Sequence, residues 1–377
     1  MLKRILDAFS RHPDPLVQQD IDRQVDALYA RATEAWSRDD LDGAEKSLKS
    51  ALAIDNNLPA LFFMMGSIAL KRQQYVDAAR QFSACLERHP RFPLLLNARA
   101  NLALVQARGD AKRGLAAPCE PAWTGTKPLL SVVVCSIHAA KFAAVSANLS
   151  QHLAGIPHEI IGVHDARSMC EGQAQGLSRA RGELLLFCHD DIAVHAPDFA
   201  DRLLRRLQSF DLVGVAGSTQ LHGEGWLYSR WPHMHGQVGM LTPQGITVTT
   251  HHMQGAATPA PLVLDGMFLA CHRHVTEQLG FDADTFDGWH LYDFDFSYRA
   301  WKAGLRNAVC HDLLVSHASI GGFDAVWRTY ADRFAAKHPE SHVHFGETEP
   351  PQLVSVGLAS VAEWQWFTHY MTSMPAE

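Results

Sequence analysis

Three short apolar segments decide the fold of this chain: LLSVVVCSI at residues 129–137, HEIIGV at 158–163 and ELLLFC at 183–188. Their length and their β-branched and aliphatic residues predict buried strands. Helix-like stretches separate them, the first running to about residue 152 and the second lying around 171–181. This βαβαβ order predicts an α/β domain with a mostly parallel sheet covered by helices. Ligands bind beyond the carboxyl ends of such strands, so a functional site is expected there.

Polar side chains follow the third predicted strand directly. His189, Asp190 and Asp191 come immediately after ELLLFC, where the sheet is expected to open into a crevice. A histidine beside carboxylates is typical of a divalent-cation site, and these nitrogen and oxygen donors suit Mn2+ at least as well as Mg2+. The triplet could equally be a polar turn that caps the helix near Pro197, so other segments have to decide.

Three downstream segments carry further signal: LDGMFLA at 264–270, GFD at 280–282 and YDFDFSYR at 292–299. Together with the strand ends, they resemble in order and spacing the inverting GT-A glycosyltransferases of the large family 2 type. The resemblance covers about residues 128–335. It implies the GT-A fold of nucleotide-diphospho-sugar transferases, with a Rossmann-like sheet. It also implies transfer of a sugar from a nucleotide-sugar donor with inversion at the anomeric carbon.

The resemblance implies a metal site and a catalytic base. Asp191 matches the metal-coordinating Asp of the family's DxD-like motif, and His189 stands where the first Asp usually is. His317 follows the last strand-like segment, where relatives often place a His that reaches the metal or the diphosphate. The implied cofactor is therefore a divalent metal, Mn2+ or Mg2+. Asp293 matches the general base of the ED motif, although Tyr292 replaces the usual Glu.

Nucleotide-sugar contacts are implied at the ends of the first three strands. Ser136 and Ile137 lie at the turn after the first strand, and Asp190 lies within the DxD-like motif. His164 and Asp165 replace a pair of Asp residues that in relatives faces the nucleotide base and ribose. The loss of one Asp leaves the identity of the base open.

Candidate acceptor contacts come from two places. Asp265 and Gly266 predict a close approach of the backbone near the acceptor, because Gly admits what a side chain would block. Trp289 and His290 precede the base and could stack on and hydrogen-bond an acceptor sugar, although an aromatic residue before a helix is as often part of the core. The acceptor class is left open among glycan, lipid-linked and protein acceptors.

Structural alternatives exist for several of these residues. Asp293 could be a helix N-cap, and His317 could be one of many histidines with satisfied hydrogen bonds. Arg299 is expected to pair with Asp295 one turn back rather than with a phosphate. The stretch 219–262 shows no regular period, which predicts a lid or a binding loop, and its irregular His spacing disfavours a second metal site.

The N-terminal part of the chain contains a repeat. Residues 27–60 and 61–94 align without gaps as two blocks of 34 residues, the period of the tetratricopeptide helix-turn-helix unit. This pattern predicts an all-α tetratricopeptide-like helical repeat domain over residues 1–108. Two units seldom form a stable core, so a helix around 17–26 or the apolar helix at 94–107 is expected to cap the stack. Such repeats could bind a protein partner or the acceptor.

Composition sets the remaining boundaries. Gly and Pro without an apolar period predict a linker at 109–128, which places the GT-A glycosyltransferase domain at 129–340 and a C-terminal extension at 341–377. The extension contains Pro350-Pro351 and a Trp-rich cluster at 364–367, which is expected to pack on the catalytic domain rather than rest against a membrane surface.

Bulk composition excludes several classes of protein. The chain has 377 residues, of which 47% are hydrophobic and 19% charged, and its formal net charge is −7. This balance predicts a soluble protein without the basic surface that nucleic acid requires. The N-terminus lacks a signal-peptide core and no apolar run could span a bilayer, which predicts a cytoplasmic protein, with peripheral contact at the inner face of the membrane left open. Seven scattered Cys predict reduced thiols.

Two other functions compete with sugar transfer as explanations of these motifs. Glycoside hydrolysis also uses paired carboxylates, but it explains neither the HDD strand end nor the nucleotide-facing turns. A non-catalytic, repeat-based adaptor with a degenerate GT-A domain would explain why His189, Tyr292 and His164 replace acidic residues.

Overall fold

The computed structural model describes residues 15–91, 93–221, 229, 231–319, 321–341 and 353–375. The chain forms two compact units, Met1–Gly109 and Asp110–Glu377. Trp226 of the predicted binding loop and Pro350-Pro351 of the predicted extension lie outside the described residues. Among the described helices, none combines the length and the apolar character that a membrane crossing requires.

The N-terminal part of the chain is helical. The helix predicted around 17–26 is the beginning of the first long helix rather than a separate cap, because no Gly or Pro separates it from the first repeat. Its described residues form α1 Pro15–Ser37, α2 Leu41–Ile54, α3 Pro59–Lys71, α4 Tyr75–Leu86 and α5 Leu94–Lys112.

These helices recur with the predicted spacing. The equivalent helices α2 and α4 begin 34 residues apart, at Leu41 and Tyr75. A Cβ added at Gly66 of α3 would lie 2.7 Å from the ring of Phe82, so the contact between α3 and α4 needs a residue without a side chain. Ala32, which occupies the matching position of the first block, is fully buried. The tetratricopeptide class of these helices stays a prediction.

The C-terminal unit is an α/β domain, and its first three strands and two helices lie at the predicted segments. The strands are β1 Leu130–Cys135, β2 His158–Val163, β3 Leu184–Cys188, β4 Ile192–Val194, β5 Leu212–Gly214, β6 Ala216–Ser218, β7 Met234–Thr242, β8 Gly245–Thr250, β9 Ala257–Pro259, β10 Val263–Leu264, β11 Phe268–His272, β12 Asn307–Cys310, β13 Val315–His317 and β14 Val354–Leu358. The helices are α6 Ala139–His152, α7 Met169–Arg179, α8 Phe199–Ser209, α9 Arg273–Leu279, α10 Tyr292–Lys302, α11 Ala325–Lys337 and α12 Val361–Ser373, with a 3₁₀ turn at Pro339–Ser341.

The first sheet is mixed rather than mostly parallel. Its strand order is β2-β1-β3-β11-β5-β12-β9. β1 pairs in parallel with β2 and β3, as the βαβαβ pattern predicts. β11 is antiparallel to both β3 and β5, because the chain enters it at the carboxyl edge of β3, where His189 N–H donates to Met267 O at 3.1 Å. From that edge the chain has to run back along β3, a direction that apolar periodicity does not reveal.

Two glycines let α7 lie close against β1. A Cβ at Gly176 would lie 2.2 Å from Val133 Cγ1, and one at Gly172 would lie 2.4 Å from Cys135 Sγ. Such an approach is open only to residues without a side chain. It brings the N-terminus of α7, with Met169, to the carboxyl end of β1.

Much of the stretch 219–262 is β-structure, so its interpretation as an irregular lid or loop is wrong for the described residues. The second sheet has the order β10-β6-β7-β13-β4, and β7 forms an antiparallel hairpin with β8. Alternate residues of β8 are buried, namely Ile246, Val248 and Thr250. A period of two is therefore present, but it is short and is surrounded by Gly, His and Trp residues.

The predicted C-terminal extension is integrated into the second unit. β14 pairs antiparallel with β8. Trp364 of α12 is fully buried, and its indole N–H donates to Gln237 Oε1 at 2.9 Å. A Cβ at Gly239 would lie 2.5 Å from the Trp364 ring, so this glycine makes room for the indole. The Trp-rich cluster thus packs within the unit.

The predicted linker at 109–128 is anchored rather than free. α5 continues into it as far as Lys112, and later residues bond to α8. Trp123 N–H donates to Asp201 Oδ1 at 2.6 Å, and the Arg205 guanidinium donates to Pro121 O at 2.7 Å. Side chains of α8 therefore satisfy backbone groups that have no helix or strand partner.

Candidate active site

Three short strands bring two histidines and a carboxylate together. β3 ends at Cys188 and is followed by His189, while Asp191 stands directly before β4. β13 is antiparallel to β4, with His317 opposite Ile192. His317 Nε2 lies 3.0 Å from Asp191 Oδ1 and 3.2 Å from His189 Nδ1. One donor atom from each of the three side chains lies within 4.8 Å of the others.

This donor set fits a divalent cation. In an octahedral shell with metal–ligand bonds of about 2.1 Å, neighbouring ligands lie roughly 3.0 Å apart, close to the measured separations. The side chains of His317 and Asp191 are only 14% and 11% exposed. In the part of the chain that the structure describes, no other three His, Cys, Asp or Glu side chains come together in this way.

Electrostatics favour the metal-binding forms of these side chains. Burial lowers the pKa of His189, and the neighbouring His317 lowers it further, so this imidazole is neutral at pH 7. Burial alone would raise the pKa of Asp191, but His317 and a hydrogen bond from Ser319 outweigh it and lower that pKa. A cation binds neutral imidazole and ionised carboxylate, so these two groups need not lose a proton first.

A second carboxylate, Asp293, lies in the first turn of α10. Its Oδ2 accepts a hydrogen bond from Gly266 N–H at 2.7 Å. Burial and the negative charge of Asp265 raise the pKa of Asp293 to about 7. The N-cap of α10 is Leu291, with a φ of 58° and no side-chain cap. Asp293 is therefore not the N-cap, and its carboxyl group exchanges a proton near neutral pH.

Gly266 accounts for the close backbone approach predicted at Asp265-Gly266. A Cβ at Gly266 would lie 2.3 Å from Tyr292 Oη and 2.8 Å from Asp293 Cβ. Tyr292 Oη also donates to Gly266 O at 3.2 Å. The backbone thus approaches the first turn of α10, and one glycine contacts both Tyr292 and Asp293.

A cavity of about 380 Å³ opens beside His189 and Asp191, within the roughly 300–1,000 Å³ typical of small-molecule sites, and His317 lies behind these two residues rather than in the cavity lining. Ser136 Oγ donates to Asp190 Oδ2 at 2.6 Å and so fixes that carboxylate at the cavity wall. The cavity is lined by these residues singled out in the sequence: Ser136, Ile137, His189, Asp190, Asp191 and Trp289.

Some of the predicted ligand contacts lie outside this cavity. His164 and Asp165 are exposed and line a neighbouring hollow, although His164 Nδ1 donates to Ser136 O at 2.6 Å. His290 packs against the ring of Tyr330, with ring centroids 6.1 Å apart. A nucleotide would therefore have to extend from one hollow into the other to contact His164 and Asp165.

Sequence reasoning did not find several residues that line the cavity, among them Lys141 and Ser319. The half-exposed Lys141 Nζ lies 3.6 Å from Asp190 Oδ1, and Ser319 Oγ lies 3.3 Å from His317 Nε2. The sequence does contain a sign of Lys141, because a cation in the first turn of a helix interacts unfavourably with the helix dipole. A lysine at this position does not stabilise the helix, which indicates that it has another role. No such signal distinguishes Ser319 from other loop serines.

A buried ion network holds α10 in place. Asp295 Oδ2 accepts a hydrogen bond from Arg299 Nε at 2.7 Å, the partner that the spacing predicts. Asp295 Oδ1 lies 2.7 Å from Lys337 Nζ and 2.8 Å from His338 Nε2. These contacts tie α10 to the end of α11 and so fix the turn that carries Asp293.

The sheet and the strand-end site define a GT-A-like α/β domain preceded by a helical region. A family model described as a glycosyltransferase-like family matches residues 131–338, and the chain belongs to that family. None of the curated proteins compared with the chain matches it.

Three solved structures are similar at low identity. A mannosyltransferase from Pyrobaculum calidifontis in complex with GDP-Man and Mn2+ is 14% identical, with a TM-score of 0.38 over 73% of this chain and 78% of its own. GalNAc-T7 with UDP, GalNAc and Mn2+ is 14% identical, with a TM-score of 0.37 over 60% and 53%. A197 from STIV is 14% identical, with a TM-score of 0.32 over 52% and 87%. Similarity at this level adds nothing to the geometry of the site.

The raised pKa of Asp293 predicts a pH-dependent effect on stability. Its folded pKa of about 7 lies above the ordinary value of 3.8, so the folded state loses stability as the pH rises from about 4 to about 7. Asp293→Asn removes the charge and keeps an acceptor for Gly266 N–H. We expect this variant to stabilise the full chain at pH 8 by at most about 4 kcal/mol, and the gain to vanish towards pH 4. Urea denaturation at several pH values measures the difference.

Asp295→Asn, on the same helix, is the matched control and should have the opposite effect on the stability of the chain at pH 8. Burial would raise the pKa of Asp295, but the hydrogen bond from His338 and the charge of Arg299 outweigh it and lower that pKa. Removal of this paired carboxylate should destabilise the chain at pH 8. Equal destabilisation by both variants would show that Asp293 is not held as a buried acid of raised pKa.

Proposed function

We propose that the C-terminal unit is a metal-dependent inverting glycosyltransferase, which moves a sugar from a nucleotide-sugar donor to a glycan, lipid-linked or protein acceptor. Membership of the glycosyltransferase-like family supports sugar transfer. The observation that carries the proposal is the convergence of His189, Asp191 and His317 beside the cavity. A carboxylate with a pKa of about 7, Asp293, supports it further.

His189, Asp191 and His317 would hold the divalent metal, Mn2+ or Mg2+. When bound there, the cation neutralises the negative charge that builds on the departing diphosphate. Two imidazole nitrogens beside one carboxylate favour Mn2+ over Mg2+, which prefers oxygen ligands. Lys141, at the cavity, would place a further positive charge near the diphosphate oxygens.

Asp293 would take the proton of the acceptor hydroxyl. In a single in-line displacement, that hydroxyl attacks the anomeric carbon while the nucleoside diphosphate leaves from the opposite face, which inverts the configuration. A base works best when its pKa lies near the working pH, and burial beside Asp265 brings the pKa of Asp293 to about 7. The hydrogen bond from Gly266 orients the carboxylate.

The donor would lie along the cavity wall. Ser136, Ile137 and Asp190 line that wall and would contact the nucleotide sugar. His164 and Asp165 line the adjoining hollow and would contact the base or the ribose.

The acceptor would enter at Trp289, which is 46% exposed and lines the cavity, and a sugar would stack on its ring. His290 follows Trp289 on the same segment. The negative charge of Asp265 raises the pKa of Asp293, and Gly266 N–H donates to the Asp293 carboxylate. His290, Asp265 and Gly266 would therefore lie close to the acceptor hydroxyl. The N-terminal helices, if they form tetratricopeptide repeats, would bind the acceptor or a protein partner.

The adaptor alternative loses its main support. It rests on the replacement of acidic residues by His189, Tyr292 and His164. His189, however, is one of the three donor groups, and it hydrogen-bonds to Tyr292 at 2.9 Å. The replacements at His189 and Tyr292 therefore leave an ordered polar site. Glycoside hydrolysis by a pair of carboxylates does not require such a His–Asp–His cluster.

We expect nucleoside diphosphates and nucleotide sugars to raise the melting temperature of the full chain only when Mn2+ is present. A ligand at 100 times its Kd adds about 2.7 kcal/mol to the stability of the folded state. Asp191→Ala and His317→Ala should each abolish the response, because each removes one donor. A thermal-shift panel of nucleotides, with and without Mn2+, measures these effects.

Asp211→Asn is the control for that panel, since it changes a carboxylate that pairs with Arg306 and does not line the cavity, so it should leave the nucleotide response intact. A nucleotide response that is independent of metal would contradict the assigned site. No response to any nucleotide would favour the adaptor.

We expect donor turnover at saturating Mn2+ to rise with pH through an apparent pKa of about 7, because Asp293 must be ionised to accept a proton. Asp293→Asn should lower turnover by roughly 10²–10⁴-fold. Asp265→Asn removes a negative neighbour, so it should lower the pKa of Asp293 and extend activity to lower pH. Chromatography of the sugar released by slow donor hydrolysis measures all three effects.

An unchanged midpoint in Asp265→Asn would contradict this assignment. The pH dependence would then belong to a group other than Asp293, the metal-binding histidines being the first candidates.

A further inference from the structure

We propose that Tyr292 is a positioning residue, which sets the tautomer of His189 and thereby prepares the cation site. This rests on the proposed function, because it takes His189 as a metal ligand. Tyr292 and His189 are two positions at which the sequence departs from the motifs of the family it resembles, with Tyr for Glu and His for Asp. The two side chains are hydrogen-bonded to each other, with His189 Nε2 and Tyr292 Oη 2.9 Å apart.

The direction of this hydrogen bond follows from a third group. A phenol has one proton to donate, and Tyr292 Oη also lies 3.2 Å from the carbonyl oxygen of Gly266. A carbonyl oxygen only accepts, so we assign the phenol proton to the bond with Gly266, which leaves neither the carbonyl nor the phenol oxygen without a partner. Tyr292 Oη can then only accept from His189, and the imidazole donates from Nε2.

The tautomer decides which nitrogen can bind a cation. A neutral imidazole carries one ring proton, so protonation of Nε2 leaves the lone pair on Nδ1. His189 Nδ1 is the atom that faces the other donors, 3.2 Å from His317 Nε2. The opposite tautomer would turn an N–H towards those donors and would oppose cation binding.

Burial holds this arrangement in place. Tyr292 is 3% exposed, and a Cβ at Gly266 would lie 2.3 Å from its hydroxyl oxygen. Gly266 also donates its N–H to Asp293, the residue after Tyr292. A single glycine thus holds both the residue that orients His189 and the proposed base.

Two measurements on the full chain test this role. In metal-free wild type, long-range ¹H–¹⁵N NMR should show His189 protonated at Nε2, with the signal assigned through His189→Asn. Tyr292→Phe keeps the ring and removes the acceptor, so the His189 signal should shift to a mixture of tautomers. The affinity of the Tyr292→Phe variant for Mn2+, measured by electron paramagnetic resonance of the free ion, should be roughly 10–100-fold lower than that of wild type.

Tyr298→Phe is the matched control. Tyr298 lies on the same helix, is also 3% exposed, and packs its ring on Trp301 and Phe334 rather than on the donors. We expect this variant to leave both the His189 tautomer and the affinity for Mn2+ unchanged.

The inference is overturned if wild-type His189 is protonated at Nδ1, or if Tyr292→Phe binds Mn2+ as tightly as wild type does. Failure of the proposed metal site is a different result, in which wild type itself binds no Mn2+. The NMR experiment needs no metal, so it still decides whether Tyr292 sets the tautomer. If Tyr292→Phe does not fold, protonation of wild-type His189 at Nδ1 would still overturn the inference.

Discussion

The pairing of β13 with β4 is the contact on which the candidate site depends. It places His317 opposite Ile192 and 3.0 Å from Asp191. Side chains alternate along a strand, so a slip of one residue would turn His317 to the other face and leave His189 and Asp191 without a third donor. β13 has only three residues, so its register depends on its neighbours β4 and β7. The second sheet therefore completes a site that begins at the end of β3.

Local patterns predict the framework of the catalytic unit but not its pairing. The strand predicted at 158–163 has the same bounds in the structure, and β1 and β3 lie within their predicted segments. Buried parallel strands are continuous apolar runs, which makes them visible in a sequence. Strand direction and register depend on residues far away in the chain, so the antiparallel β11 and the hairpin within 219–262 were not predicted.

The residues of the candidate site also fall into those that local sequence patterns predict and those that depend on distant parts of the chain. His189 and Asp191 are marked by their place at a strand end, whereas His317 comes from a distant strand and was found only through the family resemblance. The role of Tyr292 depends on contacts with two other segments, at His189 and Gly266, which no local pattern reveals. Lys141 left a weak signal, because its charge opposes the dipole of its own helix.

A divalent cation held by His189, Asp191 and His317, with a nucleoside diphosphate beside it, is the central feature of the proposed enzyme. Anomalous diffraction at the manganese edge, from crystals of the full chain grown with Mn2+ and a nucleoside diphosphate, tests it most directly. We expect one strong anomalous peak within bonding distance of His189 Nδ1, His317 Nε2 and an Asp191 carboxylate oxygen, with the diphosphate next to it in the cavity. A diphosphate bound in the cavity without a metal peak at these three residues would contradict the proposal.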